Sequence, residues 1–390
     1  MTSDPSSVPP RRRLRRPGRV GRGLLAIVVA LVVAIAAFGV YEYVSNLAPA
    51  GEPTLVIYTY PSLLNGTDCG SPLYSTVFGT FAAAHHVRIE VECPAGTLLS
   101  TLVAQEGSPG ADLVIGLDEI TAPVAEADHL VIPYRPPALA NVSPEIANEL
   151  SPDHGVVPYE YGYLAIDYTT AFSGSTGGTV ARATFPDFTQ NSTWAKGLLT
   201  ENPEFDITGE EFLVWQIEYY EAILHQNWQT FWQSVWAEGL PNPAPDWGTA
   251  YNEFLQSSGG PPMVVSYSTD PAYAEVNGGA GQFNSTVSWW NATEYAWRTI
   301  YGIGIVSGTH HLTLDQEFEN WFLSGTVQSE IPESEWEYPA NTTIPLPGVF
   351  AAAVNPASLV PLNNYVTPTE LAAALPGWID TWLSLVPASP

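Results

Sequence analysis

Between Thr54 and Leu117 the sequence switches repeatedly between two hydrophobic periods, and that alternation limits the folds open to it. Thr54-Leu55-Val56-Ile57-Tyr58-Thr59-Tyr60 is β-branched and aromatic, the pattern of a buried strand. Helical spacing follows through Val77, Phe78 and Phe81, then a strand at Val87–Val91, a helix over Thr97–Gln105 and a third apolar strand at Ala111–Leu117. Strand, helix, strand, helix, strand is the grammar of an α/β lobe on a parallel sheet. Ligands bind such sheets beyond the carboxyl ends of the strands. Thr59-Tyr60 and Leu117-Asp118 therefore fall at one candidate site.

Further along, Val157–Tyr168 is aromatic and extended, as in a strand that crosses the molecule, and Ser173–Thr179 reads as a loop. Glu210–Leu224 carries Phe212, Trp215, Ile217, Tyr220 and Leu224 at helical spacing. Met263–Tyr267 is a short buried strand, and Leu314–Val327 a helix with Phe318, Trp321 and Phe322 inward. Thr367-Pro368-Thr369-Glu370 sets a capping residue, a first-turn proline and an acid three residues on, which starts a helix. At 390 residues there is room for two ordinary domains.

Charge is strongly segregated. Seven of the 12 Lys and Arg lie between Arg11 and Arg22, whereas residues 47–390 carry five cations against 38 acids, a formal charge of −33. Such a field repels a phosphate backbone and excludes nucleic acid as a partner. Gly23–Tyr41 is uncharged and long enough to span a hydrocarbon core. The arginines before it predict a cytoplasmic tail over residues 1–22, a membrane anchor over 23–45, a linker over 46–53 and an external body. A cleaved signal peptide is the alternative; the length of the run and the interfacial Tyr41 and Tyr43 favour the anchor.

Six Asn-x-Ser/Thr sequons, at Asn65, Asn141, Asn191, Asn284, Asn291 and Asn341, suit an external glycoprotein. The two cysteines, Cys69 and Cys93, suggest one disulfide there, with two unpaired thiols as the other reading. A surface rich in acids and poor in Lys and Arg fits an acidic exterior, where carboxyls lose their charge, with a salt-rich habitat as the rival.

Hydrolase elbows, zinc-protease motifs and phosphate or dinucleotide loops are absent from the sequence. His85-His86 and His310-His311 are adjacent, so neither pair forms a chelating face, and no metal or cofactor is expected. Tyr219-Tyr220 lies in a helical pattern and reads as packing. Aromatics are abundant, with 13 Trp, 19 Tyr and 14 Phe. Most must be core, but several stand beside acids and turn-formers, as in Tyr159-Glu160-Tyr161 and Glu335-Trp336-Glu337. Rings beside acids can box a flat cation, at about 0.5–2 kcal/mol per good contact.

At these residues the chain resembles the thiamine-binding proteins of ABC importers. The resemblance runs over nearly all of the external body, through six motifs in order: Ile57-Tyr58-Thr59-Tyr60-Pro61-Ser62, Ala111–Asp118, Val157–Tyr163, Asp246–Leu255, Val265–Tyr273 and Ile331–Pro339. It implies an α/β, two-lobed periplasmic-binding-protein-like fold of type II, with a ligand cleft between the lobes. On that pattern 54–160 forms lobe I, rejoined by part of 305–390, and 161–304 forms lobe II. It also implies a cleft lined by Tyr60, Asp118, Asp206, Trp247, Tyr267, Tyr273 and Trp336. Tyr273 and Trp336 would sandwich a ring of thiamine, Asp118 would meet its amino group or charge, and Trp247 and Tyr267 would hold its hydroxyethyl side or a phosphate. The implied partners are thiamine or its phosphates, an ABC permease and its ATPase.

Departures from the family pattern carry weight too. Where the family loop has Arg and Ser, this chain has Glu204 and Asp206, which should favour free thiamine over its phosphates. A tryptophan of the family aligns with Cys69, so one ring of the box is missing. The family is usually exported by a cleaved signal; an uncleaved anchor suits an archaeal-type cell without a periplasm. Three rival functions remain: a thiaminase-I-like enzyme with Cys69 or Cys93 as nucleophile and Glu92 as the acid, a receptor for another small organic cation such as a polyamine, and a surface scaffold or glycoprotein with no ligand.

Overall fold

A computed structural model of the chain describes residues 52–65, 69, 74, 77–256 and 260–387. The expected anchor over 23–45 and the tail before it lie outside the described residues. Among the described residues, no helix is long and apolar enough to cross a membrane.

Thirteen strands are seen among the described residues: β1 (Thr54–Tyr58), β2 (Arg88–Glu92), β3 (Leu113–Asp118), β4 (Val131–Ile132), β5 (Val156–Thr169), β6 (Leu198–Leu199), β7 (Met263–Tyr267), β8 (Phe283–Thr286), β9 (Ser288–Trp290), β10 (Thr293–Ala296), β11 (Arg298–Val306), β12 (Tyr338–Pro339) and β13 (Leu359–Pro361). The helices that matter below are α1 (Gly79–His85), α2 (Leu98–Ala104), α3 (Ile207–Glu218), α4 (Trp247–Leu255), α5 (Asp270–Val276), α6 (Leu312–Phe322) and α7 (Pro368–Leu385).

The main sheet runs β2-β1-β3-β11-β5-β7-β6, with β4, β8 and β12 paired at its flanks. As the alternation predicts, β1, β2 and β3 are mutually parallel neighbours joined by helical crossovers. The long strands β5 and β11 lie antiparallel and carry the sheet from one half to the other. Apolar side chains divide with it. One core holds Leu55, Ile57, Phe78, Phe81, Ile115, Phe318 and Phe322; another holds Leu164, Ile166, Phe185, Phe212, Trp215, Trp232 and Trp382. Residues 305–390 serve both: α6 packs in the first core, α7 in the second.

Several local expectations stand. The Thr367/Glu370 capping box opens α7, and Thr97 caps α2 by accepting the Ser100 N–H at 3.1 Å. Tyr219 and Tyr220 are buried core residues. Two expectations need correction. The presumed loop from Ser173 is helical over Thr170–Ser175, because Thr169 caps it by accepting the Phe172 N–H at 3.2 Å. The helix expected to run to Val327 stops at Phe322, and a separate turn, Gly325–Gln328, follows Ser324. Of the sequons, Asn141, Asn191, Asn284 and Asn291 are exposed. Asn341 is buried, its Nδ2 donating to the Leu323 carbonyl at 3.2 Å, so that sequon is closed in the folded chain.

Candidate functional site

Tyr60 lies just past the carboxyl end of β1, and Asp118 ends the neighbouring parallel strand β3. Pleat and register then bring in Tyr301 of β11, which pairs with Asp118. The Tyr60 and Tyr301 rings have centroids 6.3 Å apart, and the Tyr301 hydroxyl meets that of Tyr267, at the end of β7, at 3.4 Å. Tyr267 contacts Trp247 edge to face at 6.0 Å. Four rings thus run along the strand ends from one half of the sheet to the other. Tyr60, Trp247, Tyr267 and Tyr301 are half-buried, with a face or edge left to solvent.

A glycine makes the first of these placements possible. Gly116 has φ 111°, and a Cβ there would stand 2.6 Å from the Tyr60 ring. Only glycine accepts both the dihedral and the approach. Trp247 is held from behind: its indole N–H donates to Ser266 Oγ at 2.9 Å, and Ser266 donates to the Asp270 carboxylate.

Tyr273 and Trp336 form a second group of rings. Their rings meet at 83° with centroids 5.4 Å apart, so in this conformation they make a corner and leave no parallel slot between them. Trp336 stacks instead on Phe350, at 9° and 6.4 Å. Its backbone is left-handed, φ 60°, which is costly for so bulky a residue and is held by the surrounding packing. The turn Ile331–Ser334 and strand β12, registered on Tyr161 and Glu160 of β5, fix it from either side.

Acids are woven between these rings. Glu335 accepts from the Leu64 N–H, and its carboxylate lies 3.2 Å from the Tyr60 hydroxyl. Glu160 lies 3.4 Å from the same hydroxyl, which also shares a 2.6 Å hydrogen bond with Tyr159. Glu337 rests over Gly162, where any Cβ would collide with its carboxylate. Burial, then repulsion from Glu335 and Glu337, pushes Glu160 well above the usual carboxylate range. Burial, then repulsion from Asp270 and Glu335, does the same to Glu337, and burial brings Glu335 to about 7. Oxygens of Glu160, Glu337 and Glu211 are buried with no hydrogen-bond partner among the described residues.

No lysine or arginine pairs with these acids among the described residues. Arg298 is committed to Glu149 at 2.8 Å, Glu145 at 2.9 Å and the Tyr163 hydroxyl at 3.1 Å. Buried carboxylates without a counter-charge are costly unless protonated or paired. The arrangement suits a planar cation.

The expected site residues do not all have a free functional group. Tyr60, Asp118, Tyr267 and Trp247 come together through Tyr301, and Tyr273 joins Trp336. Asp118 spends Oδ1 on the N–H groups of Ile120 (2.9 Å) and Thr121 (2.8 Å) and on the Thr121 hydroxyl (3.0 Å). Asp206 is engaged through both oxygens: it caps α3 at Gly209 (3.2 Å) and accepts the Trp247 N–H (3.1 Å), which locks two helix starts together. Tyr301, Glu160, Glu211, Glu337 and Phe350 were not anticipated as site residues. Glu160 and Glu337 carry a signal, acids flanked by rings; Tyr301 sits inside an apolar run and Glu211 beside another acid at a helix start, and neither carries one.

The two cysteines form a disulfide, Cys69–Cys93, with Cα atoms 5.5 Å apart, tying the segment after Tyr60 to the end of β2. Neither sulfur is then available as the nucleophile a thiamine-cleaving enzyme needs.

The architecture defines the class of fold: the chain has the type II periplasmic-binding-protein fold. Among solved structures it is similar to a "Periplasmic thiamin binding protein", with a TM-score of 0.70 and 22% identity over 86% of this chain and 97% of that one. It is also similar to the periplasmic binding protein P5PA, with a TM-score of 0.66 and 16% identity over 86% of this chain and all of that one. In sequence it is 26% identical to the thiamine-binding periplasmic protein of Brucella suis and 25% identical to that of Brucella melitensis, each over 347 residues, 87% of this chain and 95% of the relative. No family model matches the chain.

Proposed function

We propose that the chain is the extracellular binding subunit of an ABC importer, anchored through residues 23–45, that captures thiamine and delivers it to a permease and its ATPase. The observation that carries this reading is the set of glutamates without a counter-charge among the described residues, buried Glu160 and Glu337 with half-buried Glu335, beside the rings of Tyr60 and Trp336. A thiazolium supplies the missing positive charge, and its flat rings suit the open faces of Trp336, Tyr60 and Tyr301. The names of the Brucella relatives and of the first structural neighbour support the choice of ligand. Tyr60, Asp118, Trp247, Tyr267, Tyr273 and Trp336 line the cleft on this reading. Asp206 acts through Trp247, whose backbone it holds. With acids throughout and no free cation beside them among the described residues, the cleft favours thiamine over its phosphates.

A polyamine is the second reading, favoured by one fact: the glutamates outnumber the single fixed charge of thiamine. Titration calorimetry and thermal melts with thiamine, thiamine monophosphate and spermidine separate the cases. Thiamine should raise the melting temperature in proportion to the logarithm of its concentration, as mass action requires. Trp336→Ala combined with Tyr273→Ala should weaken binding about 10- to 100-fold, the loss of two ring contacts on a cation. A melting temperature indifferent to thiamine refutes the reading; a response to spermidine alone replaces it with the second.

A further inference from the structure

Glu211 lies in the second turn of α3, one helical turn beyond Thr208, whose hydroxyl contacts the Tyr267 hydroxyl at 3.1 Å. It is fully buried, and neither carboxylate oxygen has a hydrogen-bond partner among the described residues. The ionisable groups that act on it among the described residues are acids and phenols: Asp118 and Glu119 at the end of β3, Asp206 before α3, Glu337 before β12, Tyr267 of β7 and Tyr301 of β11. Its neighbour Glu210 faces Asp118 and Asp206 in turn. A carboxylate set among like charges in a dry site keeps its proton until an opposite charge arrives.

We propose that Glu211 supplies the counter-charge for the bound cation, and that the cation enters in exchange for the Glu211 proton. This rests on the reading of the cleft as a cation site. In the exchange the carboxyl O–H bond breaks, its electron pair stays on the carboxylate and the proton passes to solvent. The complex keeps the net charge of the free protein, because the charge of the cation replaces that of the proton. Burial and the charges of Glu119 and Asp118 hold Glu211 well above the usual carboxylate range in the free protein, which is the state the exchange requires. The Tyr267 and Tyr301 phenols, both raised by burial and then by Glu211, stay neutral and lend hydroxyls rather than charge.

The test is calorimetry of thiamine binding to the whole external body in buffers of different ionisation enthalpy, between about pH 6 and 8, where the ligand charge is constant. Wild type should release close to one proton per ligand at the acid end, and affinity should climb by up to about tenfold per pH unit until the carboxyl is ionised. Glu211→Gln should release fewer protons and show a flatter pH profile. A binding heat independent of buffer, with flat affinity, overturns the exchange while leaving thiamine binding intact, and needs no variant. Full proton release retained in Glu211→Gln overturns the assignment to Glu211. Absence of any binding to the wild type brings down the cation-site reading and the exchange with it.

Discussion

Replacing Glu335 by glutamine isolates the cost of keeping acids in the cleft. Burial raises this carboxyl from 4.5 to about 7. Ionising it is therefore harder in the folded state by roughly 3 kcal/mol, at about 1.4 kcal/mol per pKa unit. The sign follows from linkage: the folded state binds this proton more tightly, so its contribution is fully present below the unfolded value and is lost as pH rises through 7. Glutamine does not titrate, yet its Oε1 still accepts the Leu64 N–H that Glu335 holds. The variant should match wild type near pH 4.5 and gain on it by roughly 3 kcal/mol by pH 8. Relief of the repulsion that Glu335 exerts on Glu160 and Glu337 adds in the same direction. Urea unfolding of ligand-free protein at a series of pH values measures the difference directly. A stability offset that stays constant across the series would falsify the argument. Glu149 and Glu218 (each about 7), Glu210 (about 8) and Asp270 (about 6) are raised in the same way. The free wild-type protein should therefore lose stability between pH 4.5 and 8, as suits an acidic exterior; an optimum at neutral pH and high salt would point to the salty habitat instead.

Gly116→Ala should push the Tyr60 ring out of place, since the added carbon would stand 2.6 Å from it on a backbone with φ 111°. A loss of about 1–3 kcal/mol in stability and weaker thiamine binding are expected, and unchanged values for both contradict the placement of that ring. Replacing Cys69 and Cys93 together by serine opens a loop of sequence separation 24. That should cost about 3 kcal/mol, read as a lower melting temperature that reducing agent reproduces in the wild type. A wild-type melt insensitive to reductant and to the substitution removes the disulfide from the account.

The sequence alone determined what depends on near neighbours. Alternating periods announced β1 to β3 and the helices between them, and so the strand ends where Tyr60 and Asp118 stand. Capping residues marked the starts of α2 and α7, because a cap is a contact across three residues. Acids flanked by rings already signalled Glu160 and Glu337. What only the tertiary structure decided is the company these residues keep. Tyr301 sits in Arg298–Val306, an apolar strand that gives no sign of function; its pairing with Asp118 follows from the register of β11 on β3, a relation between segments about 180 residues apart. Glu211 looks like any acid on the first turns of a helix, where a carboxylate is favourable, until packing of α3 removes it from water and sets it among other acids. Asp206 shows the reverse: it was legible as a site residue, and the fold turned both its oxygens to backbone. Burial and partnership are properties of the assembled sheet and its cleft, and they decide whether a carboxylate is a cap, a counter-charge or a solvated surface group.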